Sequence, residues 1–292
     1  MFDIIIPTYK IHPDLISRCL QSINNQDFID YKVYLVDGTP SDWEHFKAFR
    51  SIVDSHDLVY LRQTGNGVSQ ARNQAVSEGL NPYVAFLDGD DYWYPEHLTE
   101  LSQSIDNTDD QYVIWWNPMD TKVVVKTPKN TFQSDKLCNY FSNHQDWDSR
   151  YHGLFIVTHA VFPSSVAVSR ARFNTVGGFP EDLFAGEDVV LWHMMLGDAR
   201  YTDDLYLSYQ NDFVGAFHDL QDETMGGDTG FFAKGQHPLK DLYGKDAEKV
   251  FQENLASRSK YFTFGDKPDD IDQDTWDLIK SAKVYEGWEP VV

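Results

Sequence analysis

The first hundred residues hold four apolar, β-branched runs, each followed by a stretch with helical spacing. That recurring strand-then-helix order confines the fold to a largely parallel sheet wrapped by crossover helices. Asp3, Ile4, Ile5 and Ile6 read as a buried strand, and Pro13 opens a helix in which Ile16, Cys19, Leu20 and Ile23 share one face. Residues 31–36 form the second strand. After it, Ser41 and Glu44 have the spacing of a capping box, with Trp43, Phe46, Phe49 and Val53 as the stripe of a second helix. Residues 58–61 are the third strand, and Gly65-Asn66-Gly67 leads into a helix carrying Val68, Ala71 and Ala75. The fourth strand, 83–87, runs into a dense acidic cluster.

Past residue 110 the alternation loosens. Residues 112–116 and 122–125 read as strands, and 127–162 is polar, aromatic and His-containing without clear periodicity. Residues 166–168 form a further strand, 171–176 a short helix, Gly177-Gly178 a turn and 187–196 a helix. The remainder is acidic and aromatic, with helical stretches near 245–260 and 273–283.

Composition closes off several function classes. At 292 residues and 41% hydrophobic content the chain can bury a full core. A net charge of −22 argues against nucleic-acid or anionic-membrane partners, which need Lys and Arg to meet phosphates. An anionic ligand would need local help from a cation, a few placed arginines or helix N-termini. No run approaches the ~20 apolar residues of a membrane span, and the start lacks the pattern of a signal peptide, so a cytoplasmic location is expected. The two cysteines, Cys19 and Cys138, lack disulfide or zinc spacing and read as packing residues.

Three segments carry chemistry. In Phe86-Leu87-Asp88-Gly89-Asp90-Asp91-Tyr92-Trp93 an apolar strand ends in three carboxylates within four positions. Like charges this close suit a hard cation shared with phosphate oxygens, and strand C-termini are where open α/β sheets bind ligands. The same residues also suit a solvated acidic turn. In Gly65-Asn66-Gly67-Val68-Ser69-Gln70-Ala71-Arg72-Asn73 the third glycine of a dinucleotide fingerprint is replaced by Gln70, and the unit is the third rather than the first. This disfavours NAD and leaves a loop open to close ligand approach, with Arg72 aimed at a phosphate or sugar or forming a surface ion pair. In Gly186-Glu187-Asp188-Val189-Val190-Leu191-Trp192, Asp188 shares a helix face with Leu191, Trp192 and Met195. It is read as a general base projected into a cleft, or as a capping acid favoured by the helix dipole.

In their order these segments, with Ile5-Ile6-Pro7-Thr8-Tyr9, Leu35-Val36-Asp37-Gly38 and Val176-Gly177-Gly178-Phe179, resemble the inverting family 2 glycosyltransferases. The resemblance covers about residues 1–220. It implies an α/β GT-A (Rossmann-like) fold, with a mixed, mainly parallel sheet flanked by helices. It divides the chain into a catalytic domain at 1–220 (nucleotide-binding half 1–110, acceptor half 111–220) and a C-terminal helical extension at 221–292. Carried over by residue, it implies that Pro7, Thr8 and Tyr9 line the nucleotide pocket, Asp37 contacts base or ribose, and Gly67, Arg72 and Asp88 complete the donor site. Asp90 would hold Mn²⁺ or Mg²⁺, with Asp88 and Asp91 dividing the remaining ribose and metal contacts and Asp91 placed with the metal ligands, and His218 is the nearest counterpart of a further metal ligand, although Tyr209 is followed by Gln210 where the family has a basic residue. Gly38-Thr39-Pro40 also departs from the family, which has a second acid after Asp37.

The implied reaction is a direct displacement in which a sugar leaves a nucleotide diphosphate donor, UDP by preference, for an acceptor hydroxyl on a glycan. Asp188 takes the acceptor proton. Alternatives are an inactive nucleotide-sugar-binding or scaffold protein of the same fold, a nucleotidylyltransferase, and a two-carboxylate hydrolase. Trp115-Trp116 and residues 147–151 are candidate acceptor platforms, although paired tryptophans are more commonly core. For the extension, packing on the catalytic domain, an oligomer contact and partner docking all fit.

Overall fold

A computed structural model of the chain describes residues 1–126, 131–141, 161–183, 186–197, 202, 204–211, 213, 215–218, 240–247, 249 and 262–264. The strand-then-helix order of the sequence becomes β1 (Phe2–Thr8), α1 (Pro13–Asn24), β2 (Tyr31–Asp37), α2 (Phe46–Val53), β3 (Val59–Arg62), α3 (Val68–Glu78) and β4 (Tyr83–Phe86). All seven residues of β1 are buried, as a strand covered on both faces requires. Next come β5 (Tyr92–Trp93), α4 (His97–Asp106), β6 (Tyr112–Trp116), β7 (Met119–Lys126), β8 (Thr131–Phe141), β9 (Val166–Ser169), α5 (Arg170–Val176), α6 (Glu187–Leu196), β10 (Leu207–Gln210) and β11 (Ala216–His218). The main sheet has the order β10-β6-β9-β4-β1-β2-β3, antiparallel only where β9 lies between β4 and β6. The chain leaves β1 toward β2 and β3, then returns to β4 on the other side. The strand order therefore reverses between β1 and β4, and in open α/β sheets the crevice that takes a ligand lies at the C-terminal ends of the strands flanking such a reversal.

Alternation of side chains along the strands builds two cores. Ile4, Ile6, Val33, Leu35, Ala85 and Leu87 pack with α1, α2 and α4. Ile5, Tyr34, Val36, Val84 and Phe86 pack with α3, α5 and α6. Adjacent Trp115 and Trp116 fall into opposite cores at 3% and 1% exposure, so they are core residues and not an acceptor platform. Burying an aromatic or branched side chain contributes ~1.5–3 kcal/mol, which outweighs any need to present a single ring. The N-terminal edge of the sheet is tied by Asp3, which accepts from Arg170 at 2.6 Å and from the Asn81 side chain at 2.8 Å.

A smaller sheet, β12 (Phe262–Phe264)-β8-β7-β11-β5, stands beside the first. Its β5 begins directly after the acidic cluster and pairs antiparallel with β11, Phe217 opposite Tyr92.

Several sequence expectations change. Ser41 and Glu44 do not cap α2; residues 41–45 form turns in which the Trp43 N–H donates to the Pro40 carbonyl, and the helix begins at Phe46 without a side-chain cap. The extension contributes a strand, β12, besides the short helix Lys240–Tyr243, while the helix expected at 273–283 lies outside the described residues. Residues 147–151 lie outside them as well. Among the described residues no helix is long and apolar enough to cross a membrane.

One buried group gives the fold a pH signature. His97, fully buried and stacked on Trp93 at 4.5 Å, has its pKa lowered by burial to about 3. Between the ordinary histidine value and about 3, the unfolded chain binds a proton that the folded chain refuses. Stability contributed by neutral His97 should therefore fall as pH drops through this window, by up to ~1.4 kcal/mol per pH unit. Urea unfolding of His97→Gln against the parent at pH 7 and pH 5 should show a smaller acid loss in the variant; equal losses would contradict the burial argument.

Candidate active site

The crevice between β1 and β4 is built from strand ends. At its β2 side Asp37 is fully buried, and both carboxylate oxygens are engaged. Oδ1 accepts from the Thr39 N–H at 2.8 Å and the Thr8 hydroxyl at 3.4 Å; Oδ2 accepts from the Tyr60 hydroxyl at 2.7 Å and Arg62 at 2.6 Å. Thr39 in turn accepts from the Lys10 N–H at 2.8 Å, holding Lys10 in a left-handed conformation with φ 54°. A side chain other than glycine held there marks a constrained loop. Its neighbour Tyr9 is 60% exposed, while Pro7 and Thr8 are buried. Gly38 lies against the tip of the Gln63 side chain just past β3, where a Cβ would have to displace Oε1 from 2.4 Å.

At the β4 side the acidic cluster is sorted by its partners. Asp91, 1% exposed, accepts from the Ser164 hydroxyl at 2.5 Å, and Ser164 accepts from the Asp88 N–H at 3.0 Å. The Asp90 carbonyl accepts from Arg18 at 2.6 Å, and its side chain is half-exposed. Asp88 accepts from Arg72 Nη2 at 2.7 Å. Arg72 donates through Nη1 to Glu187 at 2.9 Å, with its guanidinium 5.1 Å from the Phe179 ring. Arg72 is 2% exposed. Burial disfavours its charged form, but Asp88 and Glu187 outweigh that and raise its pKa above the ordinary arginine value. Arg72 thus meets two carboxylates in the interior, and it is no surface ion pair.

Gly67, at φ 86°, starts α3 and so sets the direction of Arg72 one turn later. Opposite, Gly186 in the left-handed region starts α6, eight of whose ten residues are buried. Successive residues on a helix diverge by about 100°, so Glu187 turns to Arg72 while Asp188 presents a half-buried carboxyl elsewhere. Its Oδ1 accepts from the Val189 N–H at 2.8 Å. Burial, then the charge of Glu187, raise the Asp188 pKa to about 7, against the lowering effects of that N–H and of Arg72. The approach to α6 is pinned by Asn73, which donates to the Phe179 carbonyl at 2.8 Å and accepts from the Phe179 N–H at 2.9 Å.

The crevice therefore joins Thr8, Asp37, Arg72, Asp88, Asp90, Asp91 and Asp188. His218 lies in β11 just beyond Phe217, whose partner Tyr92 follows Asp91; its side chain is outside the described residues. Among the described residues no three His, Cys, Asp or Glu side chains converge as a complete metal cage. Of the two acids expected to hold a cation, Asp90 is partly exposed and suits a hard ion that takes its remaining ligands from phosphate and water, whereas Asp91 is 1% exposed and already engaged by Ser164. Sequence reasoning missed Ser164, Tyr60 and Arg62 as partners of the acids and Asn73 as a clamp. Only Asn73 lay in a segment already singled out. A concavity of about 520 Å³ on α2, lined by Phe46, Lys47, Arg50, Ser51, Asp54 and Ser55, shares none of these residues.

Residues 3–173 match the model of Glycosyl transferase family 2, a span that includes the acidic cluster and stops before Asp188. The succinoglycan biosynthesis protein ExoW of Rhizobium meliloti (strain 1021) is 30% identical over 109 residues, 36% of this chain and 34% of its own length. The chain covers between 13% and 51% of the length of the curated relatives it matches. Among solved structures, S. aureus TarS 1-349 in complex with UDP-GlcNAc aligns with a TM-score of 0.55 at 18% identity, over 96% of this chain and 70% of that one. The mannosyltransferase PcManGT of Pyrobaculum calidifontis, in complex with GDP-Man and Mn²⁺, aligns with a TM-score of 0.54 at 18% identity, over 89% of this chain and 75% of that one. At these identities the two structures establish a shared fold.

The raised Asp188 pKa has a stability consequence of the opposite sign to that of His97. Between the ordinary value of 3.8 and about 7 the folded chain holds a proton that the unfolded chain releases. That contribution is full below 3.8 and is lost as pH rises through 7. Asp188→Asn, which resembles the protonated form at every pH, should lose less stability than the parent between pH 4.5 and 7.5 in urea unfolding. Parallel curves would place Asp188 in an ordinary solvated environment.

Proposed function

The chain belongs to glycosyl transferase family 2, and on that premise we propose that it is an inverting, divalent-cation-dependent transferase. It would move a sugar from a nucleotide diphosphate donor, a UDP-sugar by preference, to an acceptor hydroxyl on a glycan. The observation that carries this reading is the meeting of two carboxylate centres with different partners at one sheet edge. Asp88–Asp91 end β4, and Asp188 opens α6 with a pKa raised into the neutral range. A general base works best when its pKa lies near the working pH, and burial with Glu187 alongside brings Asp188 there.

In this reading Pro7, Thr8, Tyr9 and Gly67 line the donor. Asp37, its oxygens already engaged, holds the loops that present Tyr9 and Arg62 to the base and ribose. Asp90 and Asp91 hold Mn²⁺ or Mg²⁺, with His218 as a further ligand. When bound, the cation neutralises charge on the departing diphosphate. Asp88 faces the donor from the Arg72 side. At the acceptor end, Asp188 takes the hydroxyl proton on Oδ2, since Oδ1 already accepts the Val189 N–H. The acceptor oxygen bonds to the anomeric carbon from the face opposite the diphosphate as the bond to phosphate oxygen breaks, so the configuration inverts. Residues 1–110 supply the donor half and 111–220 the acceptor half; the extension at 221–292 packs on them or serves an oligomer contact. TarS was solved with UDP-GlcNAc and PcManGT with GDP-Man and Mn²⁺, which supports testing both nucleotides.

The two centres should fail differently. Titration calorimetry with UDP and with GDP, each with Mn²⁺ or with chelator, is combined with UDP or GDP release from UDP-GlcNAc, UDP-glucose and GDP-mannose over a glycan acceptor panel. Asp90→Ala should lose the Mn²⁺-dependent part of nucleotide binding. Asp188→Asn should bind within about twofold of the parent and lose transfer by ~10²–10⁴. Parental transfer by Asp188→Asn, or equal binding with Mn²⁺ and chelator, would overturn the respective assignment.

A further inference from the structure

We propose that Arg72 and Glu187 form a positioning pair that sets the charge state of Asp188 with opposite signs, and that Arg72 ties this control to the donor-side carboxylate Asp88. The inference rests on the reading of Asp188 as the base. It starts from an expensive arrangement. The Arg72 side chain is 3% exposed and Glu187 12%, yet they pair at 2.9 Å beneath the first turn of α6. Among the described residues Arg72 Nε has no hydrogen-bond partner. A buried ion pair with an unsatisfied donor is seldom worth its desolvation as a fastener, because apolar residues of similar volume hold a fold as well or better. The charges therefore call for another use.

Geometry supplies one. Glu187 precedes Asp188 in the first turn of α6, so its negative charge acts on the Asp188 carboxyl without the two sharing a proton donor. Without a cation beneath it, Glu187 would hold Asp188 protonated at neutral pH, where a base is useless. Arg72 offsets that charge, and its remaining arm is fixed by Asp88 at 2.7 Å. The groups acting on Asp188 are thus Glu187 beside it, Arg72 from α3 with Asp88 beyond, and the Val189 N–H. Elsewhere on α6, His193 is occupied with the Tyr243 hydroxyl at 2.6 Å, and Arg172 from α5 donates to the Met194 and Met195 carbonyls at the far end. Phe179, under the Arg72 guanidinium and clamped by Asn73, keeps the arginine from swinging out. Neither Arg72 nor Glu187 need touch a substrate to govern the proton.

The test is a ¹³C NMR titration of the full chain labelled at aspartate carboxyl carbons, with Asp188→Asn identifying the resonance. The parent midpoint is expected near 7. Glu187→Gln should lower the midpoint and Arg72→Met should raise it, each by about one pH unit or more. Arg72→Lys, which keeps the charge and loses the two-armed geometry, should stay close to the parent. If Arg72→Met does not fold, a lowered midpoint in Glu187→Gln with an unmoved one in Arg72→Lys carries the proposal. Midpoints that stay put in all variants, or move the same way in Glu187→Gln and Arg72→Met, overturn it, because a merely structural pair would not give opposite signs. Nucleotide release from UDP-GlcNAc and GDP-mannose across the same pH range separates the two readings. Midpoints that move as stated while release ignores Asp188→Asn would uphold the pair and remove Asp188 as the base.

Discussion

A single guanidinium, buried between two carboxylates, organises the candidate site. Arg72 comes from α3, Asp88 from the end of β4 and Glu187 from the start of α6, so its two arms join three elements that the sheet alone would leave independent. The cost of burying the cation is met only with both acids in place, and an error in any one of the three elements exposes an unpaired charge. The interaction is therefore unforgiving. It also fixes how far the donor side of the crevice lies from the helix that carries Asp188.

The sheet explains why the charges gather there. Reversal of strand order between β1 and β4 brings the C-terminal ends of β1, β2 and β4 side by side at the place where open α/β sheets bind ligands, and Thr8, Asp37 and the acidic cluster end those strands. The opposite edge carries a buried ion pair of its own, Asp3 with Arg170. One edge ties the layers together; the other gathers Asp37, Asp88, Asp90 and Asp91 at the strand ends. Membership of glycosyl transferase family 2 agrees with that division, since the family match spans the strands that build the crevice.

Much of the fold was legible because its signals are local. Strand alternation, Pro13 at a helix start and glycines before α3 and α6 are read from neighbouring residues, and the boundaries of α6 were met in full. Local signals also misled. Ser41 and Glu44 have capping-box spacing, but turn hydrogen bonds beginning at Pro40 delay the helix to Phe46. Trp115-Trp116 left two readings open, a sugar platform or the commoner core, and only the sheet, which puts them on opposite faces, decides for the core. The site acids and Arg72 could be picked out by motif, whereas the way they pair could not. Arg72 and Glu187 are 115 positions apart, and Asp91 and Ser164 are 73 apart. Nothing in the spacing of a lone serine or arginine announces such pairings, which exist only once two layers pack.

The central claim is that Arg72 and Glu187 act as one unit, and a double-mutant cycle measures it most directly. Unfolding of the parent, Arg72→Met, Glu187→Gln and the double variant in urea at pH 7.5 gives their interaction free energy. Contacting buried charges should couple by at least ~1 kcal/mol, with the double variant less damaged than the sum of the singles. Single-variant effects that add to within ~0.5 kcal/mol would mean the two side chains do not depend on each other, and the account built on their pairing would fail.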